Sequence, residues 1–227
     1  DLFQRLAEGH ASKLGSSGAA LDVLLKAVQQ YPERVELWDQ ADSLATEAGR
    51  PTDLAEAFRE VLRRQLGKGV ELELCDRAAR LHEDRLGDPM GATPYLERVL
   101  ELDPSSERAF GRLKHILTGA ERWSELEALY DRASAATDDM RRRADMLVEV
   151  ALICEEIIEA PDKAIAYYER ILAIEPAHEG AVAALDRLYA QRERHEDLAN
   201  LLERRLDSAV GEELLKLRLR LARIQLV

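Results

Sequence analysis

The sequence predicts an all-α protein built from stacked pairs of helices, and three observations carry that prediction. The chain has a 72-residue period, its apolar residues recur at spacings of three and four, and β-branched residues are few. Side chains three or four positions apart lie on one face of an α-helix, so each such stripe marks a buried helix face. No segment shows the sustained alternation that predicts a strand.

The repeat is clearest at the prolines and in the second half of the chain. Pro32, Pro104 and Pro176 recur at the interval of the period. Segment 89–135 aligned with segment 161–207 has 15 identities in 47 positions without a gap. Each 72-residue unit holds two helical hairpins, so we expect a single domain over 1–227 with units 1–71, 72–143 and 144–214, six hairpins in all, and a trailing helix at 213–227.

The first hairpin of each unit begins with a helix whose buried stripe contains small residues. Ala7, Ala79 and Ala151 share one position in this stripe and allow neighbouring helices to approach closely. His10 and His82 share another position, where the next unit has Cys154, and this equivalence favours a packing role over a catalytic or ligand role.

The second hairpin of each unit has larger apolar residues on its first helix. Trp38, Phe110 and Val182 occupy one position in successive units. The partner helix carries a second stripe, for example Leu54, Ala57, Phe58 and Val61 in the first unit.

These hairpins resemble the tetratricopeptide repeat (TPR), a helical hairpin of about 34 residues with Trp, Ala, Phe and closing Pro positions. Ala164, Tyr168, Ile171 and Pro176 fit the Ala, Phe, Ala and Pro positions, and Trp38 fits the Trp position. The alternation of shorter and longer hairpins resembles the two-hairpin units of long bacterial TPR arrays. The resemblance implies a right-handed α-solenoid with a concave surface that binds a protein or peptide.

No residue pattern predicts catalysis, a metal site or a cofactor. A zinc-protease helix needs a second His four residues after the first. The three His-Glu pairs that begin at His82, His178 and His195 have other residues at that position. We therefore expect a non-enzyme.

The composition narrows the class of partner. The net charge is -12, and nucleic acid or anionic lipid would require a cationic surface instead. We therefore expect the partner to be a protein or peptide, and a basic one if electrostatic attraction contributes to binding. We expect the chain neither to bind nucleic acid nor to insert into a membrane. The only cysteines, Cys75 and Cys154, fit a reducing compartment, so we expect a cytoplasmic location, with the periplasm left open. The chain begins at Asp1 rather than Met, so we also expect it to be part of a longer protein.

The resemblance places the partner on the solvent-facing side of each hairpin's first helix, and most residues there are acidic. The predicted partner-binding residues are Glu36, Asp39, Glu47, Glu73, Asp76, Arg80, Glu83, Asp84 and Arg108. The sequence alone leaves open that these are ordinary solvated charges.

The C-terminal helix suggests an alternative function, self-association. Leu215, Leu219 and Leu226 would add apolar surface outside the main buried stripe of this helix. Exposed apolar patches commonly mark interaction sites, so we expect a second copy of the chain as a possible partner here.

Overall fold

The computed structural model describes residues 17–206 and 210–224, and every regular element within these ranges is a helix. The all-α prediction is therefore confirmed. The chain forms two units, residues 1–122 and 123–227. Even-numbered helices are called A helices and odd-numbered helices B helices, because each A helix is the first helix of a predicted hairpin.

Unit 1 contains six described helices joined by short turns. They are α1 (Ser17–Gln30), α2 (Val35–Glu47), α3 (Pro51–Val61), α4 (Lys68–Asp84), α5 (Pro89–Leu102) and α6 (Glu107–Gly119). Unit 2 also contains six. They are α7 (Trp123–Ala136), α8 (Met140–Leu152), α9 (Pro161–Ile174), α10 (Glu179–Gln191), α11 (His195–Leu206) and α12 (Gly211–Ile224). Helix α8 continues as one π-helical turn, Ile153–Ile157.

The starts of the helices follow the 72-residue period to within one residue. Helices begin at residues 17, 89 and 161, at residues 35, 107 and 179, and at residues 51, 123 and 195. Residues one or two periods apart therefore occupy equivalent positions in equivalent helices. The division into units 1–71, 72–143 and 144–214 stays a prediction.

The turns that follow the A helices use left-handed residues, and those after α2, α6 and α10 are equivalent. Gly49, Glu121 and Glu193 have φ angles of 64°, 55° and 55° at equivalent positions. The next backbone N–H reaches back into the helix, as where Arg50 N–H donates to the carbonyl of Ala45 at 2.8 Å. This arrangement caps the helix end, and it favours glycine because a Cβ crowds the backbone in this conformation.

The core of unit 1 is centred on two stacked aromatic rings. Trp38 of α2 and Phe58 of α3 are 1% and 3% exposed, and their ring centroids are 4.3 Å apart. The indole N–H of Trp38 donates to the carbonyl of Pro32 at 2.9 Å, so its one polar atom is satisfied.

Within each unit, A helices contact A helices and B helices contact B helices. In unit 1, Arg77 of α4 pairs with Asp39 of α2 at 2.6 Å. In unit 2, the Tyr167 hydroxyl of α9 donates to Asp131 of α7 at 2.9 Å. This contact pattern places successive hairpins side by side, which is the arrangement expected of an α-solenoid.

Among the described residues, no helix is both long enough and apolar enough to cross a membrane.

Candidate protein-binding surfaces

The nine predicted binding residues lie on three A helices of unit 1. Helix α2 carries Glu36, Asp39 and Glu47, helix α6 carries Arg108, and helix α4 carries the other five. None of the nine is buried: Asp76 and Glu83 are partly accessible, and the other seven are exposed. We refer to the solvent-facing side chains of α2, α4 and α6 as the A-helix face of unit 1.

Three of the nine residues meet in one cavity, the unit 1 cavity. It has a volume of about 380 Å³, and its floor contains the apolar residues Phe58 and Leu81. Asp39, Arg80 and Asp84 line it together with three further charged residues, Asp42, Arg77 and Arg85. An apolar floor surrounded by charges of both signs can receive a side chain with an aliphatic stem and a charged end.

The sequence analysis missed the arginines that neutralise part of this surface. Arg77 contacts both Asp39 and Glu73 at 2.6 Å, and Arg85 contacts Asp42 at 2.8 Å. The spacing of four between Glu73 and Arg77 indicates an ion pair on one helix face, so the sequence did contain a signal for this contact. The contacts of Arg77 with Asp39 and of Arg85 with Asp42 span 38 and 43 residues, and no local spacing predicts them.

A second charged network joins α4 to α6. Arg112 lies 2.6 Å from Asp76, and its Nε atom donates to Glu83 at 3.0 Å. Burial alone would raise the pKa of Asp76, but the hydrogen bond from Arg80 and the charge of Arg112 outweigh it, so the pKa lies below its ordinary value. Asp76 and Glu83 are therefore bound to arginines of the same unit.

Three predicted residues remain available to a partner. Glu36, Glu47 and Asp84 are exposed and form no ion pair with any residue that the structure describes. Of these, Asp84 also lines the unit 1 cavity.

Unit 2 contains a larger opening, the unit 2 groove, which the sequence analysis did not identify. It has a volume of about 970 Å³ and lies among α9, α10, α11 and α12. Its apolar side includes Leu172, Val182 and Leu201. Its charged lining residues are Glu179, Asp186, Arg187, Arg204, Arg205 and Arg220.

The three predicted self-association residues have two different outcomes. Leu215 and Leu219 of α12 are 59% and 58% exposed, which agrees with their assignment to the outside of the helix. Leu226 lies outside the described residues. Whether a second copy covers these leucines stays a prediction.

The His and Cys positions of the repeat are occupied by buried side chains. His82 is 7% exposed, and its ring lies 5.5 Å from that of Tyr95, while its equivalent Cys154 is fully buried. Burial raises the pKa of the Cys154 thiol to about 11 and that of Cys75 to about 12, so both thiols are poor nucleophiles at neutral pH. His10 lies outside the described residues, among which no cluster of His, Cys, Asp and Glu could hold a metal ion.

No protein-family model and no curated protein matches the chain. Its helical hairpins resemble those of several solved structures. One is MamA, which is 21% identical in sequence. The match covers 72% of this chain and 91% of MamA, and its TM-score is 0.37. Another is YrrB, described as a TPR protein with an unusual peptide-binding site, with 18% identity, 80% and 89% covered, and a TM-score of 0.36.

A third is a tetratricopeptide repeat protein from Parabacteroides merdae, with 16% identity, 100% and 84% covered, and a TM-score of 0.36. These similarities are remote. The evidence for the fold of this chain is therefore its own helical hairpins, their period and their contacts.

Proposed function

We propose that this chain is a non-catalytic scaffold that binds a peptide or protein segment on the A-helix face of unit 1. The observation that carries the proposal is the unit 1 cavity, where the predicted residues Asp39, Arg80 and Asp84 meet above an apolar floor. Stacked helical hairpins commonly use extended surfaces of this kind to hold other proteins.

The charge of this face favours a basic segment. Helices α2, α4 and α6 carry ten carboxylates, against seven Lys and Arg residues on α4, on α6 and directly after α4. The arginines are engaged with carboxylates of the face, whereas Glu36, Glu47 and Asp84 are not. A ligand Lys or Arg in the unit 1 cavity would therefore pair with Asp84 while its stem covers Phe58 or Leu81, and Glu36 and Glu47 would pair with further basic residues of the segment.

Selection from a random peptide display library on the intact chain tests this proposal. We expect basic peptides to be enriched, and a variant with Glu36, Glu47 and Asp84 all changed to Lys should lose them. The matched control changes Glu33, Glu56 and Glu175 to Lys, which gives the same net charge on positions elsewhere. Equal loss in both variants would show that only net charge matters and would refute the assignment of the surface.

A second candidate function is self-association through α12, because Leu215 and Leu219 are largely exposed. Light scattering tests it by measuring the mass in solution at increasing protein concentration. We expect the mass to rise with concentration, and the change of both leucines to Glu should restore the monomer mass. A chain that stays monomeric throughout would rule out this function.

A further inference from the structure

The unit 2 groove lies at a position that a large side chain fills in unit 1. Helices α2 and α10 begin and end two full periods apart, so Val182 occupies the position of Trp38. Trp38 is 1% exposed, whereas Val182 is only partly buried and lines the groove. The smaller side chain leaves space open where the first repeat has an indole ring.

Part of the surroundings of that position is also equivalent. Leu172 and Pro176 line the groove at the positions of Val28 and Pro32. In unit 1 the carbonyl of Pro32 accepts the indole N–H of Trp38. The groove therefore retains the apolar wall and the proline turn that surround an aromatic ring elsewhere in the same chain.

The charge of the groove is opposite to that of the chain. Four of its six charged lining residues are arginines, although the net charge of the chain is -12. Arg187 is held by Glu155 and Arg220 by Asp186. Each guanidinium has five N–H donors, so these pairs orient the two arginines and leave further donors for a ligand. Arg204 is exposed and forms no ion pair with the residues that the structure describes.

We infer that the unit 2 groove is a second docking site, for a partner segment that carries an aromatic residue flanked by carboxylates. The aromatic ring enters the space beside Val182, and the carboxylates pair with the arginines, which bind them in a bidentate manner. This inference goes beyond the proposed function, since the site lies in unit 2 and selects the opposite charge.

The first test fills the groove with a tryptophan, the residue that unit 1 has at the equivalent position. Selection from the random peptide display library on the intact chain should enrich acidic peptides that contain Trp, Tyr or Phe. Fluorescence anisotropy with one such labelled peptide should show binding at least about tenfold weaker for Val182→Trp, the usual effect of removing a central contact. Val182→Ala keeps the groove open and should bind at least as tightly as the parent.

The second test concerns charge. Arg204→Glu should weaken the same peptide at least about tenfold, because a repulsive carboxylate replaces a pairing donor. Arg63→Glu is the matched control, since Arg63 is exposed in unit 1 and the net charge changes equally. The variant with Glu36, Glu47 and Asp84 changed to Lys should still bind the acidic peptide. The proposed function and this inference can therefore be refuted independently of each other.

Three results would overturn this inference. One is a selection that enriches no acidic aromatic peptides, and another is a selected peptide that binds Val182→Trp as well as the parent. The third is a concentration-dependent dimer that Val182→Trp abolishes, because then a second copy of the chain occupies the groove. All variants are compared by circular dichroism, so that loss of helix is not mistaken for loss of binding.

Discussion

Replacing Trp38 with alanine should destabilise the protein more than any other single truncation in the A helices of unit 1. The side chain is 1% exposed, its ring stacks on Phe58 at 4.3 Å, and its N–H is bound to the carbonyl of Pro32. Truncation of a buried Trp costs about 3–5 kcal/mol, and the stacked pair accounts for about 0.5–1.5 kcal/mol beyond burial. These contributions overlap, so we expect about 4 kcal/mol.

The assay is urea unfolding followed by far-UV circular dichroism, with the free energy of unfolding obtained by linear extrapolation. The matched control is Val182→Ala at the equivalent position, where the side chain is only partly buried and the expected cost is about 1 kcal/mol. If Trp38→Ala unfolds within about 1 kcal/mol of the parent, or if the two variants lose the same stability, the register of the repeats is wrong.

Three further predictions concern the turns, the charged networks and the thiols. Gly49→Ala should cost about 1–2 kcal/mol in urea unfolding because its φ is positive, whereas Glu193→Gly at the equivalent turn should cost nothing or stabilise. Arg112→Met should cost about 2 kcal/mol at pH 7, because the partly buried Glu83 loses its arginine and Asp76 loses one of its three. Below a pH of about 3.9, the ordinary value for Asp, this cost should begin to shrink, and it should shrink further as the pH falls through the lowered pKa of Asp76 in the folded protein. Cys75 and Cys154 should react with a disulfide reagent at pH 8 only after unfolding in urea, since both are buried and their pKa values are raised.

Each of these predictions has an opposing result. A Gly49→Ala variant as stable as the parent would contradict the capping role of the left-handed turn. An Arg112→Met variant whose stability falls with pH as the parent's does would mean that Arg112 does not contribute to the lowered pKa of Asp76. Rapid reaction of either thiol in the native protein would mean that the helix carrying it opens readily.

The period of the sequence was sufficient to predict the helices and the buried stripes. Apolar side chains at spacings of three and four must face a partner helix, and the 72-residue period transfers that orientation from one repeat to the next. For this reason the burial of Trp38, Leu54 and Phe58 followed from the sequence, as did the exposure of Leu215.

The charged contacts were less predictable because they depend on the rotation of one helix relative to another. Asp39 was assigned to an acidic surface, but the structure pairs it with Arg77, 38 residues away. No spacing within either helix indicates that pair. The unit 2 groove did have a sequence signal, which is the replacement of Trp38 by Val182 at the same repeat position. This replacement indicates a groove only if no other side chain fills the space that the indole ring occupies in unit 1.

Carboxylate footprinting tests the central claim most directly, that the A-helix face of unit 1 binds a protein segment. The intact chain is treated with a carbodiimide and an amine, with and without a selected basic peptide, and the modified residues are measured by mass spectrometry. Binding should protect Asp84, Glu36 and Glu47, while Glu33 and Glu56 remain fully reactive. Protection of Glu33 and Glu56, with Asp84 still reactive, would place the partner on another surface and contradict the claim.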